Sequence, residues 1–189
     1  MLHQFTEMND RKGSLPANSV LNAFSDKYNY IDSFQSAIHD VSHQLTSTHI
    51  GKAFFTSGPQ WVGGLFVLRN KVVSVLGLKT SGKITDRQRQ LDKFKCEPGE
   101  QLGLFKVFDK TDNEVILGED DKHLSFRVSL FLSTPIPGHS ERIITISTVV
   151  TYNNWFGRLY FLPVKPFHKV IVPAMLKEIV RQLGAIVRN

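Results

Sequence analysis

Cysteine is almost absent from this chain: Cys96 stands alone among 189 residues. A single thiol excludes an internal disulfide framework and any C-x-x-C redox or zinc pattern, and it fits a reducing compartment. The chain also lacks G-x-S-x-G, a complete Walker-type G-x-x-x-x-G-K-[ST] (Gly77 to Lys83 fits its first part, but Ile84 follows), the glycine fingerprint of a dinucleotide crevice, and H-E-x-x-H. With them go the sequence signatures of a nucleophile elbow, a phosphate-cradling loop, a Rossmann site and a helix-borne zinc pair. The opening Met1-Leu2-His3-Gln4-Phe5-Thr6-Glu7 has neither a basic leader nor an apolar core. We therefore expect no secretory signal and a cytoplasmic location. The longest apolar run, Trp61 to Leu78, is interrupted by Arg69 and Lys71. Two cations at bilayer depth are costly, so the run reads as a core helix, or as one lying in a membrane plane, rather than as a span.

Hydrophobic residues make up 41% of the chain, enough to build a sizeable core. The length fits one domain, expected over residues 26–189, with residues 1–25 as a mobile tail or an arm lying on it. The formal charge of +6 is unevenly placed. Lys79 to Lys95 holds six bases and two acids, whereas Asp112 to Asp121 holds five acids and no base. Two solvated loops are the plain reading; an electropositive loop for an anionic partner is the sharper one. Basic and aromatic residues do not interleave on a common strand, so a nucleic-acid partner is not expected.

Periodicity locates the elements. Leu124, Phe126, Val128, Leu130 and Leu132 alternate with Ser125, Arg127 and Ser129, the mark of an antiparallel strand with one face on a core. Tyr28, Tyr30, Asp32 and Phe34 alternate with Asn29, Ile31 and Ser33 as a first strand. Thr46 or Ser47 caps a helix bearing Ile50, Ala53, Phe54 and Phe55. A second helix is expected from Ser57 and Pro59, with Trp61, Leu65, Leu68, Val72 and Val75 on one stripe. A short helix around Arg87 to Phe94 is left open. Further strands are expected near residues 102–109, 114–118, 123–133 and 142–152, joined mostly by short turns into a meander. A helical segment closes the chain from about Phe156 to Val187, with Phe167, Ile171, Met175, Ile179 and Leu183 as its apolar line. Pro163, Pro166 and Pro173 should break or kink it, with Pro166 opening the main helix. The fold class is α+β.

This order resembles the helix-grip fold of the START-like, polyketide-cyclase-like (SRPBCC) superfamily: a curved antiparallel sheet wrapped around a long C-terminal helix, with two short helices after the first strand. Local pieces are similar to an uncharacterised bacterial domain family near that superfamily. They include Ala53-Phe54-Phe55, Pro59 with Trp61-Val62, Leu68-Arg69-Asn70 and Leu76-Gly77-Leu78-Lys79. The run Leu117 to Leu124, Phe126-Arg127-Val128-Ser129, Gly157-Arg158-Leu159-Tyr160 and Pro166-Phe167-His168 complete them. The resemblance implies a cavity between sheet and helix and a tendency to hold small molecules, but no particular activity.

The leading expectation is a non-enzymatic domain that binds a small hydrophobic or lipid-like ligand. Trp61, Phe105, Phe126, Val128 and Met175 would form its wall, and Arg127, Arg158, Tyr160 and His168 its rim. Arg127 has an alternative reading as an ion-paired side chain on the outer sheet face. Arg158, Tyr160 and His168, with Trp155, are equally readable as a helix cap with aromatic packing. A cyclase, hydrolase or isomerase in the same cavity is the second reading, with His168 or His123 as its acid–base group. It requires one of those imidazoles to face the cavity beside a carboxylate. The third is a membrane-surface or protein-interaction module. No catalytic residue is assigned, and no cofactor or metal is expected, because Glu119, Asp120, Asp121 and His123 read as a solvated turn. The chain is expected to be a monomer or homodimer.

Overall fold

The computed structural model describes residues 14–57 and 87–187. The stripe expected over Trp61 to Val75, and with it the wall residue Trp61, lies outside these residues. Six strands form one antiparallel sheet: β1 (Tyr30–His39), β2 (Gln101–Leu102), β3 (Phe105–Lys110), β4 (Glu114–Asp120), β5 (Leu124–Leu132) and β6 (Glu141–Tyr152). Its order is β1-β6-β5-β4-β3-β2, a meander whose last strand returns to pair with the first. Among the described residues three α-helices accompany it: α1 (Ser47–Thr56), α2 (Arg87–Lys93) and α3 (Trp155–Ile186). This is the α+β helix-grip arrangement, a sheet holding a long C-terminal helix.

The alternation in β5 sets the sheet's two faces. Val128, Leu130 and Leu132 join Phe34, Ile38, Val107, Val115, Leu117, Ile144 and Ile146 in the main core against α1 and α3. Their register is fixed by direct pairing, for example Leu130 with Ile146 and Leu117 with Val128. A one-residue slip would send this row to the opposite face, so burial and pairing specify each other. The segment read as one strand over 102–109 is two, because Gly103 turns the chain at a φ of +62° between β2 and β3. A register shift between Val107 and Asp109 marks a bulge opposite β4.

The opposite face is also covered in part. Residues 15–28 lie across it, with Leu15, Val20, Leu21 and Tyr28 against Ile31, Phe108, Ile116 and Val149. A 3-10 helix, Val20–Lys27, is capped by Ser19. Glu114 anchors this arm. Its carboxylate accepts from Ser19 Oγ at 2.6 Å, from the Val20 amide at 2.8 Å and from the Ser129 hydroxyl. One of the five acids in the Asp112–Asp121 cluster is thus buried rather than solvated.

Helix α3 starts at Asn154, whose side chain accepts from the Gly157 amide at 3.1 Å, and runs unbroken to Ile186. Pro166 therefore does not open it. Pro163 and Pro166 are exposed and Pro173 is half-buried, so the carbonyls that lose their helical donors lie toward water. The buried line of α3 is Phe161, Val172, Leu176, Ile179 and Leu183, while Phe167 is 50% exposed. A strict fourth-residue line drifts by about 40° per step around a helix of 3.6 residues per turn. The expected line therefore leaves the core at its Phe167 end. Gly157 lets the first turn approach the sheet: a Cβ there would stand 2.0 Å from the His123 carbonyl oxygen.

Candidate functional site

Sequence alternation on β1 turns Asp32 to the same face as Phe34, beneath α3. Two side chains meet it, and a third stands behind one of them. The Tyr30 hydroxyl donates to Asp32 Oδ2 at 2.7 Å. His168, from α3, approaches the same oxygen through Nδ1 at 2.9 Å. Its Nε2 lies 3.3 Å from Thr148 Oγ1 on β6, the residue paired directly with Asp32 in the sheet. A carboxylate accepts, so Nδ1 carries the proton; in the neutral ring Nε2 then accepts from the threonine hydroxyl. Asp32 Oδ1 is enclosed and has no hydrogen-bond partner among the described residues. An orphaned buried acceptor costs about 1–3 kcal/mol, and here a carboxylate bears that cost within reach of an imidazole. Lys165 Nζ stands 5.1 Å from the centre of the Tyr30 ring, at the edge of the group.

The wall residues lie largely elsewhere. Phe105 and Phe126 meet edge-on at 5.8 Å, and Phe105 also meets Phe54 at 5.3 Å and Phe55 at 5.8 Å. Val128 is buried, and Met175 packs against the same core from α3. Val128 thus belongs to the core, with Phe105, Phe126 and Met175 partly buried against it. Arg127 is on the opposite face. It pairs with Asp120 at 2.8 Å, donates to the Phe126 carbonyl at 2.8 Å and stacks 3.4 Å above the Phe108 ring centre. This is the outer-face alternative, and it separates Arg127 from the other rim residues. Its guanidinium holds the Asp120 carboxyl below the usual range, chiefly through the hydrogen bond. Arg158 is exposed, while Tyr160 packs in a small cluster with Leu124, Val150 and Phe161.

The two candidate imidazoles diverge. His123 lies against Asn154 and the Phe156 ring. Only His168 has a carboxylate beside it, the arrangement required by the acid–base reading. Tyr30, Asp32 and Thr148 were not expected at a site. The signal was the parity of Asp32, a charged residue on the inward row of a strand. Cys96 is buried under α1, where a Cβ on Gly51 would stand 2.4 Å from its sulfur. Burial pushes its thiol pKa up to about 12, which leaves it protonated and unreactive near neutral pH. Among the described residues no group of three or more His, Cys, Asp or Glu side chains is placed to hold a metal ion. A separate recess of about 300 Å³ opens on the outer face between Ser14–Ala17 and Ser33, Gln35 and Thr145.

The fold and this inward-facing polar group define a helix-grip domain with a carboxylate–imidazole pair between sheet and helix. A sequence model of the DUF2867 family, described as a protein of unknown function, matches residues 24–175. The chain belongs to that family. No curated protein and no solved structure matches it.

Proposed function

We propose that this is a binding domain for a small amphipathic molecule, held between the sheet and the N-terminal half of α3. Tyr30, Asp32 and His168 would be its polar anchor. The observation that carries this reading is the enclosed Asp32 Oδ1, without a partner among the described residues. A hydroxyl or N–H of a ligand would supply the donor that the fold does not. The aromatic and aliphatic neighbours Phe126, Tyr160, Phe161 and Val164 suit an apolar body next to that donor. Such a role agrees with the superfamily resemblance, in which START-like helix-grip domains enclose small molecules, and with work in a bacterial cytoplasm. Arg158 and Trp61 remain proposed rim and wall residues, and Arg127 enters only through its strand. Native mass spectrometry of protein purified from its own host provides the test. The parent is expected to carry a small-molecule adduct that Asp32→Asn loses while remaining folded. A bare parent, or the same adduct in both, would overturn the reading.

One observation favours a second reading. Asp32 orients His168 with Nδ1 protonated, which leaves Nε2 as a base, the orienting logic of acid–base catalysis. An enzyme of cyclase, hydrolase or isomerase type would use that nitrogen after displacing the Thr148 hydroxyl. Incubating a host metabolite extract with parent and with His168→Gln separates the two readings. A compound consumed by the parent alone favours the enzyme; a compound bound and returned unchanged favours the binding domain.

A further inference from the structure

Helix α3 buries one line of side chains and shows a second, equally apolar line to solvent. Trp155 is 76% exposed, Leu159 53%, Leu162 61%, Phe167 50% and Val170 61%. Trp155, Leu159, Leu162, Pro166 and Val170 recur at steps of four, three, four and four residues, one continuous ridge. Elsewhere among the described residues the exposed large apolar side chains, Phe24, Val41, Ile136 and Ile186, stand singly. Single exposures are ordinary, whereas a continuous ridge calls for an occupant.

Charge indicates which occupant. From Trp155 to Lys177 the helix carries Arg158, Lys165, Lys169 and Lys177 and no Asp or Glu. Arg158, Lys165 and Lys169 are exposed beside the ridge. A second copy of the chain would bring like charges together, which disfavours a symmetric pairing through this face. An anionic lipid surface complements both features: cations meet the headgroups and the ridge enters the acyl boundary. Tryptophan at the helix start suits that boundary. Among the described residues no helix is long and apolar enough to cross a membrane, so α3 would lie in the plane.

We propose that the outer face of α3, from Trp155 to Val170, docks in the plane of an anionic membrane surface. Flotation of the full chain with vesicles of equal parts phosphatidylserine and phosphatidylcholine tests it, with pure phosphatidylcholine as control. Binding is expected to the anionic vesicles alone and to weaken as salt rises. Removing two cations in Arg158→Gln with Lys169→Gln should weaken it about thirtyfold. Leu159→Ser with Leu162→Ser should weaken it by about tenfold or more at an unchanged melting temperature, since both sites are exposed. No flotation of the parent, or flotation that neither double variant alters, would overturn the proposal. So would a concentration-dependent dimer, in place of vesicle binding, that the leucine variant dissolves.

Discussion

Asp32 and Asp40 mark the two ends of β1, roughly 26 Å apart at about 3.3 Å per residue, and each meets a basic side chain from another element. At the Asp40 end both carboxylate oxygens are employed. Asp40 accepts from the backbone amides of Gln44 at 3.0 Å and Leu45 at 3.1 Å and pairs with Arg142 at 3.1 Å. Arg142 in turn donates to the carbonyls of Leu45 and Ser133, both at 2.9 Å. Both side chains are almost wholly enclosed, at 0% and 3% exposure. At the Asp32 end the side chain is slightly more open, the partner is a histidine, and one carboxylate oxygen has no donor among the described residues. A closed network that joins a strand end, a helix entry and an edge is architecture. An incomplete one under the same sheet leaves an interaction for something else to make.

That contrast can be broken by mutation. The largest effect is expected from Arg142→Ala, which strands a buried carboxylate; chemical denaturation should show a loss of about 3–5 kcal/mol. Gly157→Ala comes next, at about 1–3 kcal/mol, because its methyl meets the His123 backbone rather than a yielding side chain. Asp32→Asn keeps the shape and an acceptor for His168, so its cost should stay near 1 kcal/mol. If Asp32→Asn proves as costly as Arg142→Ala, the two ends are alike and the Asp32 group is structural too. The smallest effect concerns pH and lies outside both ends. Asp120 has a lowered folded pKa because Arg127 stabilises its carboxylate. Its contribution is therefore present above the unfolded value of about 3.9 and lost as pH falls through the lower folded one. Arg127→Ala should remove that slight steepening from the acid limb of the stability curve, measured by thermal melts across pH.

Much of the framework follows from alternation and caps. The row Leu124 to Leu132 faces the helix as its spacing requires, and Thr46 caps α1. The pairs at the two ends of β1 were harder to read, because Asp32 and His168 are 136 residues apart and Asp40 and Arg142 are 102 apart. The strand member of each pair nevertheless betrays itself by parity, Asp32 beside Phe34 and Arg142 on β6. Arg142 shares the row of Ile144 and Ile146, and a charge on an inward row needs a partner. Glu114 was hidden differently. It opens a strand inside an acid-rich stretch whose charges read as solvated, and only the arm laid over the sheet makes it interior. The aromatic middle of the core could not be inferred either, since Phe54, Phe55, Phe105 and Phe126 come from separate elements and their volumes meet only in three dimensions.

The three prolines of α3 give the helix a mechanical joint. Pro163 and Pro166 remove two rungs next to the turn that carries His168, and Pro173 removes a third just beyond it. The helix is therefore most compliant along the later part of its outward ridge, just ahead of its inner, densely packed half. A load on the first turns would be felt at the His168–Asp32 contact before it reached Leu176, Ile179 or Leu183. Amide deuteration would register the joint as early uptake around residues 159–170 while the last turns stay protected.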